Sequence, residues 1–166
     1  MIKKLLLPII FTFFITKTYS QALNWHLSAQ AGTADYHFEN FQGAFLAGFK
    51  NYDGQQLSLG PIFKGYNLNS KSHNFIGARI YSQAKIYEGF SMYLQCDIFD
   101  GIRSKIGVSA KSPMRLETGA GFIYTFKERI GLSAGYSFAE YNPTNRFRKN
   151  TPSIKLIYLM PLSRAY

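Results

Sequence analysis

A strict alternation of side chains over residues 78–97, ARIYSQAKIYEGFSMYLQCD, limits this segment to extended chain. Successive side chains of a β-strand point to opposite faces, so a period of two places one set of residues on each face. Here one set is mostly apolar or small and the other is mostly polar, and the pattern breaks only at Glu88-Gly89. An alternation interrupted by a tight turn predicts a β-hairpin.

The same alternation recurs along nearly the whole chain after residue 22, and no segment there has a helical period. Tight turns are expected at three places, namely Asp53-Gly54, Glu88-Gly89 and Lys127-Glu128. Longer polar connections lie between them, at about residues 36–42, 67–74, 111–114 and 139–152. Tight and long connections that alternate strictly predict an up-and-down antiparallel sheet. We call the end that carries the tight turns the trimmed end, and the end that carries the long connections the elaborated end.

The number of strands depends on residues 99–111. Asp100-Gly101 could form an additional hairpin turn, which would give nine or ten strands. Ile98, Ile106 and Val108 hold one phase across that point, so a single long strand with a bulge fits equally well. We take the single strand, and therefore eight strands, because a ninth would place the two termini at opposite ends of the sheet.

Three features favour a sheet whose apolar face is turned outward into lipid. Glycines lie on the polar face, where small side chains relieve crowding inside a narrow closed barrel. Aromatic residues gather near both ends of the strands, and long and short loops alternate, as in membrane-spanning barrels. Separately, charged residues are 17% of the chain, against about 25% in a typical soluble domain, which fits an exported β-rich protein better than a cytosolic enzyme. The sequence therefore predicts an all-β, closed, antiparallel transmembrane β-barrel, since an open sheet edge in hydrocarbon would leave backbone groups unpaired.

The first 20 residues have the features of a secretory signal peptide. Lys3 and Lys4 precede an apolar stretch over residues 5–15, and a plausible cleavage zone follows at residues 20–22. The apolar stretch is shorter than the ~20 residues that a transmembrane helix needs. We expect export, cleavage near residues 20–22 and a single β-barrel domain over residues 21–166.

In this pattern the chain resembles the small eight-stranded outer-membrane barrels of Gram-negative bacteria, the group that includes the OmpA-like barrel domain. The resemblance covers the whole mature chain and includes SIKLIYLMPLSRAY, which ends in Tyr166, as the last strand of such barrels usually ends in an aromatic residue. It implies a place in the outer membrane of the cell envelope, contact with lipopolysaccharide and insertion by the barrel-insertion machinery.

Charged residues on the polar face are the first candidates for a functional network. These candidates are Arg79, Lys85, Asp97, Arg115, Glu117 and Arg129. One interpretation is a hydrated lumen closed by bridges between arginines and carboxylates, and the other is an interior that attracts anions. Eight strands leave scarcely any free bore, so an open pore for sizeable solutes is not expected.

A second candidate is the basic cluster Arg146, Arg148 and Lys149 in the long connection over residues 139–152. These side chains suit the phosphates of lipopolysaccharide or an acidic envelope partner, and they equally suit a solvated basic loop. The net charge of +10 is also compatible with nucleic acid, but a barrel in the outer membrane makes that partner unexpected.

Few residues offer catalytic or metal chemistry. The only histidines are His26, His37 and His73, and Cys96 is the only cysteine. His26 and Ser28 share the polar face, yet no acid is identifiable that would orient the imidazole as a nucleophilic triad requires. We therefore predict no enzyme, no cofactor, no metal site and no intramolecular disulfide.

Three functions remain compatible with these patterns. The favoured one is an outer-membrane barrel with a structural, adhesive or binding role through long extracellular loops. The second is a narrow, porin-like channel that prefers anions. The third is a soluble periplasmic or secreted barrel that binds a small apolar ligand, with its two faces reversed.

Overall fold

The computed structural model describes residues 24–33, 41–51, 53–68, 71–101, 115–127, 129–139 and 150–162. These residues form eight strands, which are β1 (Asn24–Thr33), β2 (Phe41–Lys50), β3 (Gln56–Leu68), β4 (Lys71–Tyr87), β5 (Phe90–Gly101), β6 (Arg115–Phe126), β7 (Ile130–Ala139) and β8 (Asn150–Pro161). In this part of the chain no helix is long and apolar enough to cross a membrane.

The strands form one closed antiparallel barrel in which each strand pairs with its neighbours in chain order. Closure comes from β8, which pairs with β1 through partners such as Gly32 with Lys155. Beyond the last residue of β8, Leu162 N still donates to Trp25 O at 2.9 Å. The predicted eight-stranded, up-and-down barrel is confirmed. Asp100-Gly101, considered as an additional hairpin turn, belongs to β5 and pairs with Ile76 and Phe75 on β4. The rest of the predicted long strand, over residues 102–111, lies outside the described residues.

The predicted tight turns connect β2 to β3, β4 to β5 and β6 to β7 at the trimmed end of the barrel. Two of them place a glycine at positive φ, Gly54 at 79° and Gly89 at 73°. A side chain at such a φ meets the neighbouring carbonyl, so glycine suits these positions. The third turn places Lys127 at φ 48° in spite of its Cβ atom.

The expected long connection over residues 67–74 is wrong. The antiparallel pairing of β3 and β4 continues to Asn67 with Ser72 and Leu68 with Lys71, so only residues 69–70 lie between the two strands. The polar composition of this segment, which looked like a loop, belongs instead to the far end of a hairpin. Polar residues occur in strands as well as in loops, so composition alone could not separate the two.

The two faces of the barrel differ in the predicted way, with apolar residues outward and polar residues inward. Along β4 and β5 the inward residues Arg79, Gln83, Gln95 and Asp97 are buried, whereas the outward Leu94 is 38% exposed. The outward surface of the whole barrel is dominated by large apolar residues that are about half exposed, including Trp25, Phe45, Leu59, Ile76, Phe122, Leu132, Ile154, Leu156 and Met160.

Candidate functional site

The lumen contains a buried apolar cluster together with buried charged, amide and hydroxyl side chains. The buried apolar cluster consists of Ala44, Leu46, Ile62, Tyr81, Tyr93, Ile123, Ile157 and Leu159. Tyr81 and Tyr93 face each other across the β4–β5 hairpin, with ring centroids 5.6 Å apart and planes inclined by 20°. Both rings are fully buried, so they are among the side chains that fill the narrow interior of this eight-stranded barrel.

Two glycines make room for the Tyr93 ring. A Cβ atom on Gly135 would lie 2.2 Å from the Tyr93 hydroxyl oxygen, and one on Gly121 would lie 2.8 Å from Tyr93 Cε1. Both distances are shorter than a van der Waals contact, so the aromatic side chain and the two glycines depend on each other.

Four charged residues, Lys64, Arg79, Asp97 and Glu117, form a group inside the lumen, which we call the lumen network. Arg79 donates to Asp97 from Nε at 2.7 Å and from Nη2 at 2.8 Å. Lys64 Nζ lies 2.8 Å from Asp97 Oδ2 and 2.8 Å from Glu117 Oε1. All four residues are buried, with Arg79 and Asp97 at 0% exposure. The pairing offsets the large cost of removing these charges from water.

Amide side chains extend the lumen network across the bore. Arg79 Nη1 donates to Gln30 Oε1 at 2.7 Å, and Arg79 Nη2 donates to Gln42 Oε1 at 2.8 Å. One guanidinium on β4 is therefore bonded to side chains on β1, β2 and β5. The planar fork of arginine, with five N–H donors, suits this kind of multiple contact.

A further cation, Lys155, is buried beside the lumen network. Its Nζ donates to Gln95 Oε1 and lies 4.1 Å from the centroid of the Tyr93 ring. On the side toward the elaborated end, Lys64 Nζ lies 4.7 Å from the Phe99 ring, which packs edge-on against Phe75 at 5.6 Å. Aromatic rings therefore lie on both sides of the buried charges.

A small polar group lies at the trimmed mouth of the lumen. His26 Nε2 is 3.0 Å from Ser58 Oγ, and Gln56 Nε2 also donates to Ser58 Oγ at 3.1 Å. Gly48 on β2 pairs with His26 on β1 and with Ser58 on β3. Because Gly48 has no side chain, the side chains of His26 and Ser58 can meet above it. His26 Nδ1 has no hydrogen-bond partner among the described residues, so no carboxylate orients the ring for catalysis. The expected neighbour Ser28 lies on the same face but is not the partner of the imidazole.

The lumen candidates from the sequence divide into three groups. Arg79, Asp97 and Glu117 lie together in the lumen network. Lys85 and Arg129 do not join it, because both are exposed at the trimmed end, Lys85 beside the turn at Gly54 and Arg129 within a turn. The prediction that Lys85 and Arg129 belong to a network inside the lumen is therefore corrected. The alternation shows which face of the sheet a residue lies on, but it does not show where the buried part of the lumen ends.

Other predicted residues are not placed by the structure. The side chain of Arg115 lies outside the described part of the chain, and so does the basic cluster Arg146, Arg148 and Lys149. The sequence places Lys64 and Lys155 among the cations of the polar face, but the candidate network did not include them. It also omitted the glutamines that bond to the charges, which are Gln30, Gln42 and Gln95. All of these residues lie on the polar face of their strands. The alternation therefore identifies them as inward residues, but it does not show which of them contact one another.

Among the described residues, no group of three or more His, Cys, Asp or Glu side chains is placed to hold a metal ion.

Comparison with known proteins places the chain by fold alone. No family model matches it, and no curated protein matches it in sequence. Among solved structures it is similar to the N-terminal β-barrel domain of Pseudomonas aeruginosa OprF, with a TM-score of 0.54 and 13% identity over 84% of this chain and 98% of that one. A designed transmembrane β-barrel gives a TM-score of 0.49 and 12% identity over 84% of this chain and 95% of that one. The resemblance to small eight-stranded outer-membrane barrels is confirmed for the fold.

Proposed function

We propose that this chain is an exported outer-membrane β-barrel that holds its connections at the membrane surface, with a structural, adhesive or binding role. One observation carries the proposal, namely the reversal of burial. Arg79 and Asp97 are fully buried, while Phe45 is 72% exposed and Trp25 is 60% exposed. A soluble domain buries its apolar side chains and exposes its charges, whereas a barrel in lipid does the opposite.

The location and the partners follow from the same proposal. Closed barrels of this kind cross the bacterial outer membrane, where closure pairs every backbone group without water. Residues 1–20 would direct export of the chain in a Gram-negative cell and would then be removed. The barrel-insertion machinery would fold the mature chain into the membrane. The basic cluster Arg146, Arg148 and Lys149 would then face the phosphates of lipopolysaccharide or an acidic envelope partner.

A conducting channel is the second candidate, and the geometry favours it less. The stacked Tyr81 and Tyr93 rings and the lumen network both lie across the bore. A soluble ligand-binding barrel is favoured least, because it needs a polar exterior, and the exterior here is apolar. Catalysis is also outside the proposal, because the His26–Ser58 pair lacks an orienting carboxylate among the described residues.

Fractionation tests the membrane location. We expect the protein in the sarkosyl-insoluble envelope fraction, and we expect the unheated form to migrate faster than the heated form on gel electrophoresis. In planar bilayers the purified protein should give no steady conductance. Release of the protein by osmotic shock would overturn the proposal, and stable anion-selective conductance would replace it with the channel.

Orientation is tested by labelling intact cells with a membrane-impermeant maleimide. In a Cys96→Ala background, Lys149→Cys on the elaborated side should react in intact cells. The matched control is Lys127→Cys, at an exposed turn of the trimmed end, which should react only after the cells are broken. Reaction of both variants in intact cells would contradict the proposed orientation.

A further inference from the structure

The imidazole of His26 joins β1 to β3, although these two strands are not neighbours in the barrel. His26 Nε2 reaches Ser58 Oγ at 3.0 Å across Gly48 of the intervening strand β2. A Cβ atom on Gly48 would lie 2.6 Å from Ser58 Oγ, so a side chain there would disturb the contact. His26 is 5% exposed and Ser58 is 2% exposed, so the link between the two strands is shielded from water.

The hydrogen bonds of Ser58 indicate which imidazole nitrogen carries the proton. Ser58 Oγ accepts from Gln56 Nε2 at 3.1 Å and has one proton of its own to donate. If that proton goes to His26 Nε2, the hydroxyl is satisfied and only Nδ1 of the ring lacks a partner among the described residues. If Nε2 donated instead, the hydroxyl proton would lack an acceptor there as well. The neutral ring therefore carries its proton on Nδ1.

A second proton on the ring would break this arrangement. Both nitrogens of an imidazolium ion are donors, so His26 Nε2 could no longer accept from Ser58. The N–H group at Nδ1 would still have no acceptor among the described residues. The ring would also carry a buried charge, and such a charge is costly without a counter-charge.

The groups that face His26 supply no such counter-charge. On β2 the nearby charged group is Lys50, which is half-buried and whose positive charge acts on the ring. β3 presents only the amide and the hydroxyl group described above, and the register partner on β8 is Pro161. In line with Ser58 on β4 lies Tyr81, whose phenol carries no charge near neutral pH. The buried carboxylates belong to the lumen network, where cations bind them.

We propose that His26 makes the trimmed mouth of the barrel sensitive to acid, because the neutral imidazole links β1 to β3 through Ser58 and a proton on Nε2 breaks this link. The folded barrel should keep the ring neutral at a pH at which the unfolded chain already binds the proton. The unfolded state then holds more protons than the folded state, so stability falls as the pH falls below about 6.5, the ordinary pKa of histidine. The link is internal, so its test in micelles does not depend on the proposed location.

Urea unfolding in micelles is measured from about pH 8 to about pH 5 for the parent protein and for His26→Gln, whose amide can bond to Ser58 but does not titrate. One histidine that binds a proton only in the unfolded chain lowers the ratio of folded to unfolded protein about thirtyfold over this range. His26→Gln should lack this part of the acid response. The matched control His37→Gln, in the connection that follows β1, should keep it.

Two further measurements address the proton and the charge beside it. Nitrogen-15 NMR of the folded barrel should show the ring of His26 with a single proton, on Nδ1, at every pH of the series. Lys50→Glu replaces the neighbouring ammonium by a carboxylate, which would stabilise an imidazolium ion in the folded state. The thirtyfold loss should therefore shrink to less than about tenfold in this variant.

The proposal has clear contrary results. Titration of His26 in the folded barrel near pH ~6.5 overturns it, and so does a neutral ring whose proton lies on Nε2. An acid response of His26→Gln equal to that of the parent protein also overturns it. If His26→Gln fails to fold, the NMR titration of the parent protein still decides, and an unchanged acid response of Lys50→Glu counts against the proposal.

Discussion

Asp97 is the residue on which most of the buried charge depends, and its replacement by asparagine is the sharpest test of the lumen network. The carboxylate accepts two hydrogen bonds from Arg79, at 2.7 Å and 2.8 Å, and lies 2.8 Å from Lys64 Nζ. Removing one partner of a buried ion pair costs about 3–5 kcal/mol, because the other charge remains buried. Asparagine keeps the volume and one acceptor oxygen, so we expect Asp97→Asn to lower the free energy of unfolding by about 3 kcal/mol.

The assay is equilibrium unfolding in urea in detergent micelles, followed by the fluorescence of Trp25 and by the mobility of the unheated protein on gels. Trp25 is the single tryptophan and is 60% exposed on the outer surface, so its emission reports transfer from detergent to water. Glu88→Gln at an exposed turn is the matched control and should change stability by less than about 0.5 kcal/mol. A loss below about 1 kcal/mol for Asp97→Asn would refute the view that these ion pairs hold the lumen together.

Further substitutions test the outer surface, the lumen and a turn by equilibrium unfolding in urea, in lipid bilayers for the outer surface and in micelles for the other two. Leu156→Arg at the middle of β8 should cost about 2–4 kcal/mol in a bilayer, and Leu162→Arg beyond the strand end about 0–1 kcal/mol. Equal costs would contradict a lipid-facing band. Gly135→Ala should cost about 1–3 kcal/mol, because the added Cβ atom would lie 2.2 Å from the Tyr93 hydroxyl oxygen and 2.5 Å from Ala120 O. Only the part caused by the hydroxyl should return in the double variant with Tyr93→Phe. Gly89→Ala should cost about 1–2 kcal/mol because φ is 73° there, and a neutral result would exclude strain at this turn.

The strands and their faces could be predicted because the alternation is a local property. Each inward residue of β4 and β5 lies two positions from the next, so Arg79 and Asp97 fall on the polar side without any knowledge of the barrel. The register then brings these two residues directly opposite each other across the hairpin. The turn at Glu88-Gly89 sets Tyr87 opposite Phe90, and an irregularity between Lys85 and Tyr87 then shifts the pairing by one residue. The alternation therefore predicts the face of each residue, but the register that joins Arg79 to Asp97 also depends on this shift.

The rest of the lumen could not be predicted, because its contacts join strands that are not neighbours. Lys64 on β3 reaches Asp97 on β5 and Glu117 on β6, and Lys155 on β8 reaches Gln95 on β5. Which side chains meet across the bore depends on the stagger of all eight strands together. The stagger of the strands cannot be derived from any single segment of the sequence.

The polar interior also explains how one register is selected. A slip of one residue between two strands would turn polar side chains into lipid, but a slip of two residues would keep every side chain on its own face. Lipid distinguishes poorly between such two-residue slips, because any apolar outward residue satisfies it. At the β1–β8 closure a two-residue slip would instead move Lys155 away from its register partner Gly32, where a Cβ atom would lie 2.8 Å from Lys155 Cγ. Elsewhere a slip would separate Arg79 from Gln30 and leave buried charges and amides without partners. The outer surface therefore selects the face of each strand, and the lumen selects the register.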